Sequence, residues 1–362
     1  MSYIASVGLG IPRHELLQSE VKQLIKHIFP YDEKQLERLM PVYDHARIDK
    51  RQLVVSKDWF KEEHTFKEKN DLYQKYAIEY SLDAIDSCLS NKTQLTEDVP
   101  YEAVDMIAFV SSTGIATPSL DAYIINERPF RSDVARMPLW GLGCAGGATG
   151  LARVNDWITA HPEKTALLIC CELCSLTFQK DDSSKSNIIG TALFGDGVGA
   201  TLLIGEKSPY LAHIKKTRPK IMNTSSHLER NTLSVMGWDV TNDGLGVIFS
   251  KSIPGLVHTL WKSHIYDFIS KNKLSKEDVH SFIAHPGGKK VLDAMEEVLQ
   301  VTGEKFLHSH KVLKEHGNMS SATVIYVLNE WMKEDVPVGE HSILSALGPG
   351  FSSELLLLEW YR

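Results

Sequence analysis

The sequence predicts a layered α/β protein built from two related halves, on three observations. A heptapeptide recurs: Gly143-Cys144-Ala145-Gly146-Gly147-Ala148-Thr149 is echoed by Gly317-Asn318-Met319-Ser320-Ser321-Ala322-Thr323. Gly, Ala and Thr keep their offsets, and Cys is exchanged for Asn. Gly195-Asp196-Gly197 before an apolar run is answered by Gly348-Pro349-Gly350 before another, and residues 104–114 resemble 279–288. Finally, apolar runs of strand length alternate with helical patterns along both halves.

The elements follow in order. Residues 2–7 read as a strand closed by Gly8-Leu9-Gly10-Ile11-Pro12. Residues 18–58 are highly charged and read as helices with loops. An amphipathic helix is predicted over 71–89, with Ala77, Ala84, Ile85 and Cys88 on one face. A buried strand at 106–110 precedes Leu139-Trp140, which leads into a turn at Cys144 and a helix to about 160. Residues 166–171 form another apolar strand, 181–187 (DDSSKSN) a polar, mobile loop, and 200–204 a closing strand. In the second half, helices are expected at 254–269, 289–301 and 319–333, the last striped by Val324, Val327, Leu328 and Trp331. Strands are expected at 282–284, 342–344 and 355–359. Residues 1–215 and 216–362 read as the two halves, with no linker between them, hence one compact unit.

Bulk properties narrow the function. The 362 residues carry a net charge of -7, which disfavours a nucleic-acid partner. No apolar run reaches the ~18–20 residues of a membrane span, and the first residues lack the pattern of a secretory signal. Five cysteines, an odd count, suggest reduced thiols and the cytoplasm.

Three residues carry the sharpest chemistry. Cys144 sits where a glycine turn opens a helix, and a thiol at a helix N-terminus is favoured as thiolate. The competing reading is a small buried hydrophobe, the usual fate of a free Cys, and the position favours the nucleophile over it. His285 ends an apolar strand ahead of Pro286-Gly287-Gly288, a rigid position with open space for a catalytic imidazole. His316 competes, but reads as part of a charged loop. Asn318 occupies the position of Cys144 in the other half; it suits an oxyanion hole and equally a helix N-cap. Cys170-Cys171-x-x-Cys174 lacks the further ligands that zinc requires, so no metal is expected.

The motifs Trp140-Gly-Leu-Gly-Cys144-Ala-Gly-Gly, Leu193-Phe194-Gly195-Asp196-Gly197, Ala284-His285-Pro286-Gly287-Gly288, Gly317-Asn318-Met319-Ser320 and Leu347-Gly348-Pro349-Gly350-Phe351 resemble those of the type III polyketide synthases. This is the chalcone synthase superfamily, on the thiolase fold. The resemblance is strongest to bacterial members that make alkylpyrones or alkylresorcinols from fatty acyl-CoA. It implies a five-layered αβαβα arrangement, a homodimer, acyl-CoA and malonyl-CoA as substrates, and no cofactor. Cys144 would accept the starter and hold the growing chain. His285 would keep Cys144 ionised and, with Asn318, hold the malonyl thioester carbonyl. Phe194 would be a gatekeeper, and Thr117, Thr177, Gly190, Val247, Ser320 and Gly350 would line the cavity. Arg38, His45, Arg47, Gly287 and Gly288 would meet CoA, with Lys50 and Arg51 as alternative phosphate donors. Ser112, Glu172 and Ser320 resemble a hydrogen-bond chain that influences cyclisation.

Two relatives in fold compete. A ketoacyl-carrier-protein synthase III carries its histidine in His-Gln-Ala-Asn rather than His-Pro-Gly-Gly, and a hydroxymethylglutaryl-CoA synthase fits the glycines around Cys144 poorly. A non-catalytic acyl-binding relative would have lost one of the three residues. The synthase reading expects fast alkylation of Cys144, the core reading slow alkylation.

Overall fold

The computed structural model describes residues 1–362. In the first half β1 (Ser2–Gly10) is followed by β2 (His14–Leu17), helices α1 (Gln18–Ile28), α2 (Glu33–Leu39) and α3 (Pro41–His45), and β3 (Lys50–Leu53), which pairs with β2. Then come α4 (Phe66–Leu89), β4 (Met106–Ser111), α5 (Leu120–Glu127), β5 (Ala135–Trp140), α6 (Gly146–Ala160), β6 (Thr165–Leu173), α7 (Lys185–Leu193) and β7 (Asp196–Gly205). The second half holds β8 (Arg218–Leu228), the two-stranded ribbon β9 (Met236–Thr241) and β10 (Gly244–Phe249), and α8 (Ile253–Leu256). A π-helical turn leads from α8 into α9 (Lys262–Lys271). Then follow β11 (Val279–Ala284), α10 (Lys289–Leu299), α11 (Leu307–His316), α12 (Thr323–Trp331), β12 (His341–Gly348) and β13 (Ser352–Tyr361).

The duplication is real in topology. The sheet order is β11-β12-β13-β8-β1-β7-β6-β4-β5, and the two sets of strands meet at one antiparallel pair, Tyr3 with Lys220. In each half a parallel pair (β4 with β6, β11 with β12) is followed inward, toward that seam, by antiparallel pairs. Only β5, an edge strand, has no counterpart.

Alternation along the strands explains the layers, because successive side chains point to opposite faces. In β6, Ala166, Leu168 and Cys170 enter a core shared with α6 and α12, whereas Leu167, Ile169 and Cys171 enter a core under α4. In β13, Leu356, Leu358 and Trp360 join the same central core, and Leu355 and Leu357 face α9 and α10. Three cores separated by the two halves of the nine-stranded sheet make the five layers of the thiolase fold, with α6 and α12 in the middle.

Contact between those two helices depends on glycine. A Cβ on Gly147 would fall on the Ser321 carbonyl and the Val324 side chain, and one on Gly146 on Val110 and Ser321. The glycines beside Cys144 therefore let the halves approach; they do not clear room for an acyl group.

Several elements differ from expectation. α4 starts earlier than its apolar stripe, because Thr65 and Glu68 form a capping box. Residues 181–187 are not wholly a loop: Ser184 Oγ accepts from Asn187 N and starts α7. The predicted 319–333 helix is shorter, beginning at Thr323 after a 3-10 turn. His316 ends a helix rather than lying in a loop. The strand β8 and the β9–β10 ribbon give no apolar signal because much of their surface is exposed.

Candidate active site

The two repeats meet at the centre of the molecule. Gly143, at φ +47, turns the chain where a Cβ would lie 2.7 Å from the Pro349 ring. Cys144 follows in a 3-10 turn at the head of α6 and is 9% exposed. Its Sγ lies 3.9 Å from Asn318 Oδ1. Asn318 is completely buried and held on all sides: its N–H donates to the Leu193 carbonyl at 2.8 Å and Ser320 N donates to its Oδ1 at 2.8 Å. Its Nδ2 donates to the Gly287 carbonyl at 3.2 Å, two residues beyond His285. Asn318 thus links the thiol to the histidine loop and does not serve as a helix cap.

His285 ends β11, with its N–H donating to the Ser345 carbonyl at 2.7 Å. Neither ring nitrogen has a hydrogen-bond partner, and burial lowers the imidazole to about 3, so the ring is neutral. Burial pushes the Cys144 thiol up to about 11, only partly offset by its side-chain interactions with Ser320 and Asn318. Desolvation outweighs the helix terminus here, so burial favours the thiol at Cys144 and the neutral ring at His285. Burial therefore corrects the expectation of fast alkylation for the synthase reading: iodoacetamide should label Cys144 slowly at pH 7, with a rate rising about tenfold per pH unit between 7 and 9, whereas an inaccessible core thiol would stay unlabelled throughout. A fast, pH-independent rate would mean that the thiolate is already present.

Behind Cys144 lies a buried carboxylate. Glu172 accepts from Ser112 N at 3.0 Å and from Ser321 Oγ at 2.6 Å, and Ser112 Oγ accepts from Gly143 N at 3.0 Å. Burial pushes Glu172 up to about 7. The chain expected through Ser320 runs through Ser321 instead, because Ser320, at φ +48, turns toward Cys144 and Asn318.

Beside the Cys–Asn pair is a narrow, mainly apolar cavity of about 60 Å³. Thr177, Gly190, Phe194 and Val247 line it, as expected from the sequence. Its far wall was not foreseen: Leu24, Ile25 and Ile28 of α1, with Leu53, Phe60 and Phe178. The apolar face of α1 was the available signal. One contact joins cavity and pair: Phe194, a wall residue, forms a backbone bridge with Asn318.

Three expected cavity residues lie elsewhere. Thr117 is exposed and borders a separate cleft with Tyr73, Gly114 and Trp140, because the chain leaves β4 toward the surface there. Gly350, at φ +65, packs toward Leu228 and Leu233. Ser320 supports Cys144. Among the expected CoA contacts, Arg38, His45 and Arg47 are exposed along and after α2 and α3. Gly287 and Gly288 lie against His285 and Leu193. Lys50 pairs with Glu15 at 2.8 Å. Arg51 is not a phosphate donor: it is buried and donates to the carbonyls of Thr191, Ala192 and Phe194, each at 2.9 Å, and to Gln18. It satisfies the last turn of α7, where unpaired carbonyls favour a cation. His316 is half-buried beside Tyr326 and bonded to Gln52 at 2.6 Å.

Comparison with known proteins gives a consistent result. Residues 1–208 match the model for chalcone and stilbene synthases, N-terminal domain, and residues 220–360 match that for the C-terminal domain. A Bacillus subtilis (strain 168) protein named "Putative chalcone synthase" is 45% identical over 100% of both chains. A 1,3,6,8-tetrahydroxynaphthalene synthase of Streptomyces peucetius subsp. caesius is 32% identical over 99% of this chain and 93% of that one. The crystal structure of the 1,3,6,8-tetrahydroxynaphthalene synthase from Streptomyces coelicolor A3(2) superposes with a TM-score of 0.92 at 27% identity, covering 99% of each chain.

Proposed function

The chain belongs to the chalcone and stilbene synthase family, the type III polyketide synthases, and from that premise we propose that it extends a fatty acyl-CoA with malonyl-CoA and cyclises the product to an alkylpyrone or alkylresorcinol. The observation that supports the choice of starter is the apolar cavity that runs from Phe194, which bridges to Asn318, to α1. Its walls offer alkyl and aromatic surface, with Thr177 among the few polar groups.

In this scheme the Cys144 thiol gives its proton to neutral His285 and attacks the starter thioester; CoA leaves as its thiol. Malonyl-CoA then loses CO2, and the electron pair of the broken bond forms an enolate. N–H donors of Asn318 and His285 stabilise the enolate oxygen without reorganising solvent. Its carbon attacks the acyl group on Cys144, a carbon–carbon bond forms, and the thiolate departs. CO2 loss replaces deprotonation of a weakly acidic carbon. CoA thioesters are the only small molecules this requires, with no metal or further cofactor.

We further propose a homodimer in the cytoplasm. β5 is an unpaired edge whose end exposes Trp140, near exposed Ile115, the kind of edge natural proteins cover. The five cysteines are all free and buried. No helix is long and apolar enough to cross a membrane.

One preparation tests both readings. Incubated with palmitoyl-CoA and malonyl-CoA without carrier protein, it should yield triketide or tetraketide alkyl products by mass spectrometry, and it should sediment at twice the chain mass. Product from malonyl-CoA alone, with none from fatty starters, would replace the fatty acyl reading with a malonyl-primed one. A monomer would refute the dimer.

A further inference from the structure

We infer that a buried node of Lys69 and Gln179 fastens the walls of the apolar chamber and so sets the length of starter that it accepts; this rests on the acyl-chain reading above. Lys69 lies in the first turn of α4 and is 6% exposed, yet its ammonium makes no ion pair. It donates instead to backbone and amide oxygens from separate segments. These are the Phe178 carbonyl at 2.9 Å, the Asp243 carbonyl at 3.0 Å and Gln179 Oε1 at 3.4 Å. Burying an ammonium costs several kcal/mol unless its hydrogens are satisfied, so the three acceptors are held where the cation needs them.

Each acceptor belongs to a wall. Phe178 lines the chamber itself. Asp243 is in the turn between β9 and β10, and β10 carries Val247. Gln179 Nε2 donates to the Thr177 carbonyl at 3.1 Å and to the Leu245 carbonyl at 3.5 Å, tying β10 to the Thr177 wall a second time. The Gln179 carbonyl accepts from Asn187 Nδ2 at 2.7 Å, which brings in α7 with Gly190 and Phe194. The β9–β10 ribbon belongs to neither half of the main sheet, so this node replaces the ladder that a sheet strand would have. Position matters at small scale here: a Cβ on Gly190 would meet the Phe194 ring at 3.3 Å and Val247 at 3.5 Å. Lys69 touches no reacting atom; it is a positioning residue.

The test compares the full-length enzyme with Lys69→Met, using C8, C12 and C16 acyl-CoA starters. Release of the ribbon should shift the ratio of kcat/KM for C16 over C8 by at least about fivefold toward the longer chain. The shift should appear mainly in KM, with kcat for the best starter within about twofold. Lys69→Arg, which keeps a cation with several donors, should restore the original ratio. A ratio unchanged in Lys69→Met, including an equal fall for all three starters, overturns the inference while the acyl-chain reading stands. Wild-type enzyme inactive on all three overturns both. If Lys69→Met does not fold, Gln179→Leu removes the Nε2 bonds and the longest of the three ammonium contacts, leaving the Phe178 and Asp243 carbonyls to hold the charge. The same shift is then expected, and an unchanged ratio there also overturns the inference.

Discussion

Cys144→Ala should abolish condensation, lowering kcat by at least about 10⁴, because no other group can hold the acyl chain between steps. The thermal midpoint should barely move. The side chain loses one sulfur atom from a site lined by Ser320 and Asn318, and the packing of Gly147 on Ser321 is untouched. CO2 release from malonyl-CoA should persist, since Asn318 and His285 remain to stabilise the enolate. Residual product at wild-type rates would remove Cys144 from the scheme. Loss of both activities together with a collapsed melting transition would show a structural role instead.

Asn318→Ala should lower malonyl-CoA decarboxylation and condensation together by about 10²–10³, the usual effect of deleting one oxyanion donor. Starter loading onto Cys144, measured by mass spectrometry of the intact protein, should continue. The substitution also removes the bond to the Gly287 carbonyl and the acceptor for Ser320 N, so some loss of stability is expected, on the order of 1–3 kcal/mol. Decarboxylation at the wild-type rate with condensation lost would assign Asn318 to chain positioning and leave the enolate to other donors.

Much of this site is legible in the chain because the duplication writes it twice. The matching heptapeptides locate Cys144 and Asn318, and the fold brings their side chains to 3.9 Å. His285 is readable because a buried strand ends in a glycine turn. Thr177, Gly190, Phe194 and Val247 follow from motif positions, and all four line one cavity. The rest depends on relations that local sequence does not carry. Ser320 and Ser321 are adjacent and chemically alike, and only the positive φ of Ser320 decides which reaches Glu172. Arg51 looks like an exposed cation among charged neighbours until the last turn of α7 is placed against it. Lys69 sits in a helix whose pattern puts it on the polar side, and its burial comes from loops far away in sequence. The helix terminus and the resemblance both point to an ionised Cys144, while burial, invisible in a linear pattern, acts against the thiolate.

The close approach of α6 and α12 also bears on how such chains can recombine. Gly147 yields to Ser321, Gly143 to Pro349, and a Cβ on Gly348 would strike Ala145 and the Leu142 carbonyl. Every one of these contacts pairs a residue before the midpoint of the chain with one after it. A crossover between relatives near the junction of the halves would keep each half's own residues and scramble the seam where they fit. Exchanges confined to the β9–β10 ribbon and α1 leave that seam whole. Diversification of products within this scaffold is therefore easiest by replacing the chamber's cover, with α6, α12 and the glycine turns beside them inherited as a matched set.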